Sequence, residues 1–169
     1  KGISAAERLK DISQLELEGM LIENSDEPYA KEISNTIISE IRRGNAITTT
    51  TQLQKAVEKA LVRIPEKERK EMVKSCARTF QALRIDVNSE FEVLEAFMEK
   101  LPTVLNKGAR VAILTFHSGE DRLVKKAFQR FYREDVYSEI SKDVIRPSAE
   151  ECARNSRSRS TKMRWAIKA

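Results

Sequence analysis

His117 is the only histidine of the 169 residues, and Ser118, Glu120 and Asp121 follow within four positions. An imidazole beside two carboxylates can bind a polar ligand and move a proton near neutral pH. The same residues also have a purely structural reading. Ser118 with Asp121 three residues on has the form of a capping box, and Glu120 and Asp121 suit the positive end of a helix dipole. The stretch before them favours a site. Asn106, Lys107 and Gly108 make a turn, and Val111 to Leu114 is an apolar run of the kind a parallel strand buried on both faces shows. Helical periodicity resumes at Leu123. The polar cluster from Thr115 to Asp121 therefore falls at the carboxyl end of a strand, where open α/β sheets place their ligands.

The elements that must position this cluster divide the chain in two. Ser4 and Glu7 form a capping box for a first short helix, and a second is expected over Leu15 to Ile22. Pro28 opens a third, with Ala30, Ile33, Ile37, Ile38 and Ile41 at helical spacing and Gly44 after it. One of Thr48 to Thr51 caps a fourth that carries Leu53, Val57 and Leu61. A charged turn opens at Pro65. Phe80, Leu83, Val87, Phe91, Leu94, Met98 and Leu101 then read as one stripe on a single long helix, ended or kinked at Pro102. After the strand, Leu123, Val124, Ala127, Phe128 and Phe131 make an amphipathic helix. Val144 and Ile145 suggest a short strand, and Met163, Trp165 and Ile167 alternate with Arg164, Ala166 and Lys168 as in a half-covered one. The expectation is an all-helical part over residues 1–75 and an α/β part over 76–169 with about three strands. That is a small sheet for so long an apolar stripe.

Composition narrows the function classes. No apolar run approaches the length of a bilayer span, and the N-terminus has no secretory pattern. Cys76 and Cys152 are too isolated for a disulfide framework or a metal site, which fits a reducing compartment. The net charge of +5 is modest, but Arg154, Arg157, Arg159, Lys162, Arg164 and Lys168 follow one another with no acid among them. Such a run suits a polyanion, or is a solvated tail.

Several segments share a resemblance. TFQALRIDVNSEFEVLEAF (Thr79 to Phe97), RVAILTFHSGEDRLVKKAF (Arg110 to Phe128), IRPSAEECARNSRSRSTKMRWA (Ile145 to Ala166), EPYAKEISNTIISEIR (Glu27 to Arg42) and the opening KGISAAERL resemble, in order, the 16S ribosomal RNA (cytosine-N4)-methyltransferase family. The resemblance implies an α/β fold, a partial class I (Rossmann-like) methyltransferase sheet with an all-helical insertion domain that helps to recognise RNA. It implies S-adenosylmethionine as cofactor and small-subunit ribosomal RNA, or the ribosomal subunit, as partner. The setting would be cytoplasmic, or else a chloroplast or mitochondrion. The chain would carry the family's fifth strand (about 109–116) and its final antiparallel pair (about 143–146 and 162–168). The first residue is lysine, and the family's first four strands, with their glycine-rich cofactor turn, are expected upstream. No G-x-G follows a strand here. The cofactor-binding residues are therefore unknown, and the chain alone is expected to be inactive.

In the resemblance, His117 with Glu120 and Asp121 would be catalytic, lining the target-base side of the cleft. The exocyclic amine of cytosine is a poor nucleophile that needs alignment and polarisation or proton removal. Ser118, Arg78, Asn88 and Glu90 would contact substrate, with Arg84 beside them. Arg157 and Arg159 match the family's N-P-R-A-R-S run, except that Ser156 and Ser158 replace proline and alanine, and they are the choice for phosphate contacts. Gly119 departs from the family's usual leucine. A non-catalytic RNA-binding or ribosome-assembly protein derived from that family is the alternative. A strand cut from its neighbours leaves an open edge, so self-association is expected as well.

Overall fold

A computed structural model describes residues 2–62 and 69–169; the turn expected at Pro65 lies outside the described residues. The chain forms two compact units, Lys1–Glu90 and Phe91–Ala169.

The first unit is all helical: α1 (Ala5–Asp11), α2 (Gln14–Ser25), α3 (Ala30–Arg42), α4 (Thr50–Ala60) and α5 (Arg69–Asn88). Three of its helices, α1, α2 and α4, start where short polar side chains take up orphan amides. Ser4 with Glu7, Ser13 with Glu16 and Thr49 with Gln52 are complete capping boxes, each worth about 1 kcal/mol. Pro28 is not the first helical residue. It sits in a turn, and α3 begins at Ala30, the Tyr29 amide donating to the Glu27 carboxylate at 3.0 Å. The core is built from one face of each helix. Leu17, Leu21, Ile33, Ile37 and Val57 are fully buried, with Ala82 and Leu83 of α5 packed in the same cluster. Each such aliphatic side chain contributes roughly 1.5–3 kcal/mol.

The apolar stripe from Phe80 to Leu101 is not one helix. Ser89 adopts a left-handed conformation (φ 50°) that closes α5, and α6 (Glu90–Val104) starts afresh and runs past Pro102. Leu83 lies in the helical core, whereas Met98 and Leu101 lie in the core of the second unit. The division along the chain falls after Glu90 rather than near residue 75, because α5 packs on α1, α2 and α4.

The second unit contains α6, β1 (Arg110–Thr115), α7 (Ser118–Arg133), β2 (Tyr137–Ile140), α8 (Ala149–Arg154), a 3-10 turn (Ser156–Ser160) and β3 (Lys162–Lys168). The sheet order is β1-β3-β2, with β3 antiparallel to both neighbours. The strand expected over 143–146 is earlier, at Tyr137–Ile140, and Ile145 makes only an isolated bridge to Met163. Among the described residues β1 pairs with β3 alone, so the expected parallel strand has an antiparallel partner.

Nor is β1 buried on both faces. Val111 and Ile113 are half-buried against α7 and α6, while Ala112 and Leu114 are exposed. On β3 the covered side is the unexpected one. Arg164 and Ala166 are buried, and Met163, Trp165 and Ile167 are only half-buried, on the side shared with Ala112 and Leu114. Two causes are visible. Ala166 is small enough to lie beneath Phe128 and Tyr137, which meet edge-on at 5.5 Å, and Arg164 finds a carboxylate inside.

Candidate active site

The turn from β1 into α7 carries the candidate residues. The α7 N-cap is His117, not Ser118. Its Nδ1 accepts the Glu120 amide at 3.4 Å, and Glu120 Oε2 accepts the amides of Phe116 at 2.9 Å and His117 at 3.4 Å. This is a capping box displaced by one residue from the Ser118–Asp121 pattern, with imidazole in place of hydroxyl. The imidazole is 13% exposed, and its Nε2 is shut off from solvent, 3.4 Å from Glu120 Oε1 but without a hydrogen-bond partner among the described residues. The His117 imidazole, helped by the Phe116 and His117 amides, holds the Glu120 carboxyl down to about 2 against the opposing effect of burial.

Asp121 faces the other way. Arg164 Nε donates to its Oδ1 at 2.8 Å and Nη2 to its Oδ2 at 3.1 Å, a two-pronged pair with side chains 9% and 16% exposed. The pair ties the first turn of α7 to β3. From the sequence, Arg164 reads only as one more charge in a basic run; its alternation with Met163 and Trp165 marks a strand face but not which face is inside. Phe91 is the second residue that local patterns do not reveal: its ring lies 5.8 Å from that of His117.

The start of the strand that carries the later basic residues lies beside the end of β1. Lys162 is opposite Thr115, the last residue of β1, and Ile145 pairs with Met163, so Arg146 flanks Lys162 across that bridge. The 3-10 turn that carries Arg157 and Arg159 runs directly into β3, with the Arg157 amide donating to Asn155 Oδ1 at 3.1 Å. Both arginines are exposed. Charge follows the same division. Residues 1–90 hold fifteen Lys and Arg against fifteen Asp and Glu, and residues 91–169 hold sixteen against eleven, so the net +5 falls in the second unit.

Three candidates belong to the helical unit and are engaged within it. Arg78 lies 3.7 Å from the buried Glu27 and 3.5 Å from Glu71. Glu90 is held by Arg84 through bonds of 2.9 and 3.0 Å, and Asn88 is 3.5 Å from the same carboxylate. Ser118 is exposed at the start of α7. Among the described residues no three His, Cys, Asp or Glu gather to hold a metal, and no helix is long and apolar enough to cross a membrane.

The sequence matches the model of the MraW methylase family over residues 1–169. The chain belongs to that family. It is 71% identical over its whole length to ribosomal RNA small subunit methyltransferase H 1 of Lachnoclostridium phytofermentans, covering 46% of that protein. It is 65% identical to ribosomal RNA small subunit methyltransferase H 2 of Alkaliphilus metalliredigens, covering 49% of it, and 35% identical to the methyltransferase H of Dictyoglomus thermophilum, covering 51%. The chain thus spans about half the length of the curated relatives it matches.

Proposed function

We propose that this chain is the RNA-binding and proton-handling portion of an S-adenosylmethionine-dependent methyltransferase that modifies N4 of a cytosine in small-subunit ribosomal RNA, in a bacterial cytoplasm rather than an organelle. The observation that carries the reading is the sheet register. Pairing of Thr115 with Lys162 brings the strand end that precedes the only histidine beside Lys162 and the start of β3, into which the turn carrying Arg157 and Arg159 runs. Arg146, Arg157, Arg159 and Lys162 make no ion pair among the described residues, which leaves them available for phosphates. The strand order supports a class I reading: β1 and β2 run parallel to one another with β3 reversed between them, as a fifth strand followed by the closing antiparallel pair would.

The described residues do not fit the cofactor. At the β1–α7 turn, where an α/β sheet would offer amides to a ligand, the amides of Phe116, His117 and Glu120 are taken by the chain's own side chains. Neither does a glycine-lined approach follow a strand. No step is therefore assigned to the methyl donor. What these residues supply is phosphate binding from Arg146, Arg157, Arg159 and Lys162, and an imidazole–carboxylate pair beside the base. With Nδ1 committed to the cap, Nε2 is the nitrogen left for a substrate. The helical unit carries no net charge, so the net attraction to a polyanion comes from the second unit.

The capped state of His117 also favours a second reading, an RNA-binding or ribosome-assembly protein without catalysis. Binding of the chain to small-subunit RNA should fall with salt, and Arg157→Glu/Arg159→Glu should flatten the log–log slope by about 1.4 or more. An unchanged slope would refute the phosphate role. Calorimetry with S-adenosylmethionine should give no micromolar binding to the chain alone, and such binding would overturn the incomplete-site reading. Methyl transfer by the longest native polypeptide that contains the chain separates enzyme from binding protein: transfer abolished by His117→Ala supports the first, and its absence altogether supports the second.

A further inference from the structure

Gly119 is the second residue of α7, and no backbone requirement puts glycine there, because the left-handed glycines are Gly44 and Gly108 only among the described residues. Space does. A Cβ built on Gly119 would lie 2.5 Å from Phe91 Cζ, 3.2 Å from Phe91 Cε1 and 3.3 Å from His117 Cε1. Carbon atoms do not approach to 2.5 Å, so any side chain at 119 must displace the Phe91 ring from its place against the imidazole. Phe91 stands in the first turn of α6 and its ring leans on the imidazole at 5.8 Å with an interplanar angle of 45°. On the remaining side, Glu120 contacts Nε2 and its amide reaches Nδ1.

We infer that Phe91 and Gly119 are a complementary large–small pair that positions His117. The hole left by glycine admits the ring, and the ring closes one side of the imidazole and holds it in its capping orientation. Phe91 is a positioning residue that acts through His117. For turnover this inference rests on the proposed function; for the state of the imidazole it does not.

Because His117 is the only histidine, its Cε1–H and its two nitrogens give single signals in heteronuclear NMR of the 169-residue chain. In the native chain Nδ1 should report as acceptor and the Cε1 proton should carry a ring-current shift from Phe91. Gly119→Leu, and separately Phe91→Leu, should abolish the acceptor signature of Nδ1. The exchange Phe91→Leu/Gly119→Leu should bring that signature back without the ring-current shift, an outcome that loss of general stability does not produce. Should Gly119→Leu fail to fold, Phe91→Leu and Phe91→Ala, which only remove atoms, decide the matter. Wild-type His117 spectra in the single variants, or a double variant no closer to wild type than the singles, would overturn the inference. In the longest native polypeptide containing the chain, each single change should lower kcat at least tenfold with KM within threefold, and the exchange should recover it to within threefold of wild type. If that polypeptide transfers no methyl group at all, the proposed function fails while the spectroscopic result stands by itself.

Discussion

Arg164→Met is the perturbation with the clearest energetic consequence. It removes both donors from Asp121 and leaves a carboxylate whose side chain is 16% exposed without its partner. Breaking one side of a fully buried pair costs about 3–5 kcal/mol. The residual exposure of Asp121 and its place in the first turn of α7, where the helix dipole favours an anion by about 0.3–1 kcal/mol, reduce this to about 2–3 kcal/mol. Replacing both residues by apolar ones, Arg164→Met/Asp121→Leu, removes charge and counter-charge together and should cost about 1 kcal/mol or less. Asp121→Leu alone strands the buried Arg164 and should cost a similar amount, about 2–3 kcal/mol, so the double-mutant cycle should show a coupling of about 3 kcal/mol or more. Urea unfolding of the chain read by tryptophan fluorescence is the appropriate assay. Trp165 is the only tryptophan and adjoins Arg164 on β3, so its signal reports on the second unit. A loss below about 0.5 kcal/mol for Arg164→Met, or strict additivity in the cycle, would refute the argument that this pair fastens α7 to the sheet.

Two other outcomes follow from the same turn and strand. The Glu120 carboxyl titrates at about 2 rather than 4.5, so its contribution is fully present above pH 4.5 and is lost as pH falls toward 2; with a quarter of the side chain exposed it amounts to about 2 kcal/mol. Trp165-monitored stability should fall across that window in the wild type and fall less steeply in Glu120→Gln, and parallel curves would contradict the cap. β1 pairs with β3 alone among the described residues, and the open edge supports self-association of the chain: sedimentation velocity should show a concentration-dependent increase that Leu114→Lys suppresses, and a strict monomer at high concentration would rule it out.

Much of the local structure was legible because it depends on neighbours in sequence. Ser4 with Glu7 and the threonine run before Leu53 announced their helices through the oxygen each offers to an amide three residues on. β1 and β3 were legible from an apolar run and a two-residue alternation. What escaped depended on distant partners. Two overlapping patterns, Ser118–Asp121 and His117–Glu120, have the same spacing, and local preference selects the serine; Arg164, forty-three positions after Asp121, takes that carboxylate and leaves the cap to His117. The break at Ser89 was hidden because the apolar stripe keeps helical spacing across it, so periodicity alone carries no sign of a positive φ. The engaged state of Arg78 was hidden for the same reason, its partner Glu27 lying far away in sequence. Of the candidate site, the position of His117 at a strand end was legible, and the use of its ring nitrogens was not.

The reversed facing of β3 bears on which substitutions the protein can tolerate. With Arg164 and Ala166 turned inward, Met163, Trp165 and Ile167 join Ala112 and Leu114 on a side that the chain leaves half-open. Of these, Ala112 and Leu114 are exposed outright, and polar β-formers at those two positions would forfeit little of the burial that folds this unit. Packing within the described residues does not account for a leucine at 114, and substitutions there distinguish what the fold demands from what the working protein demands.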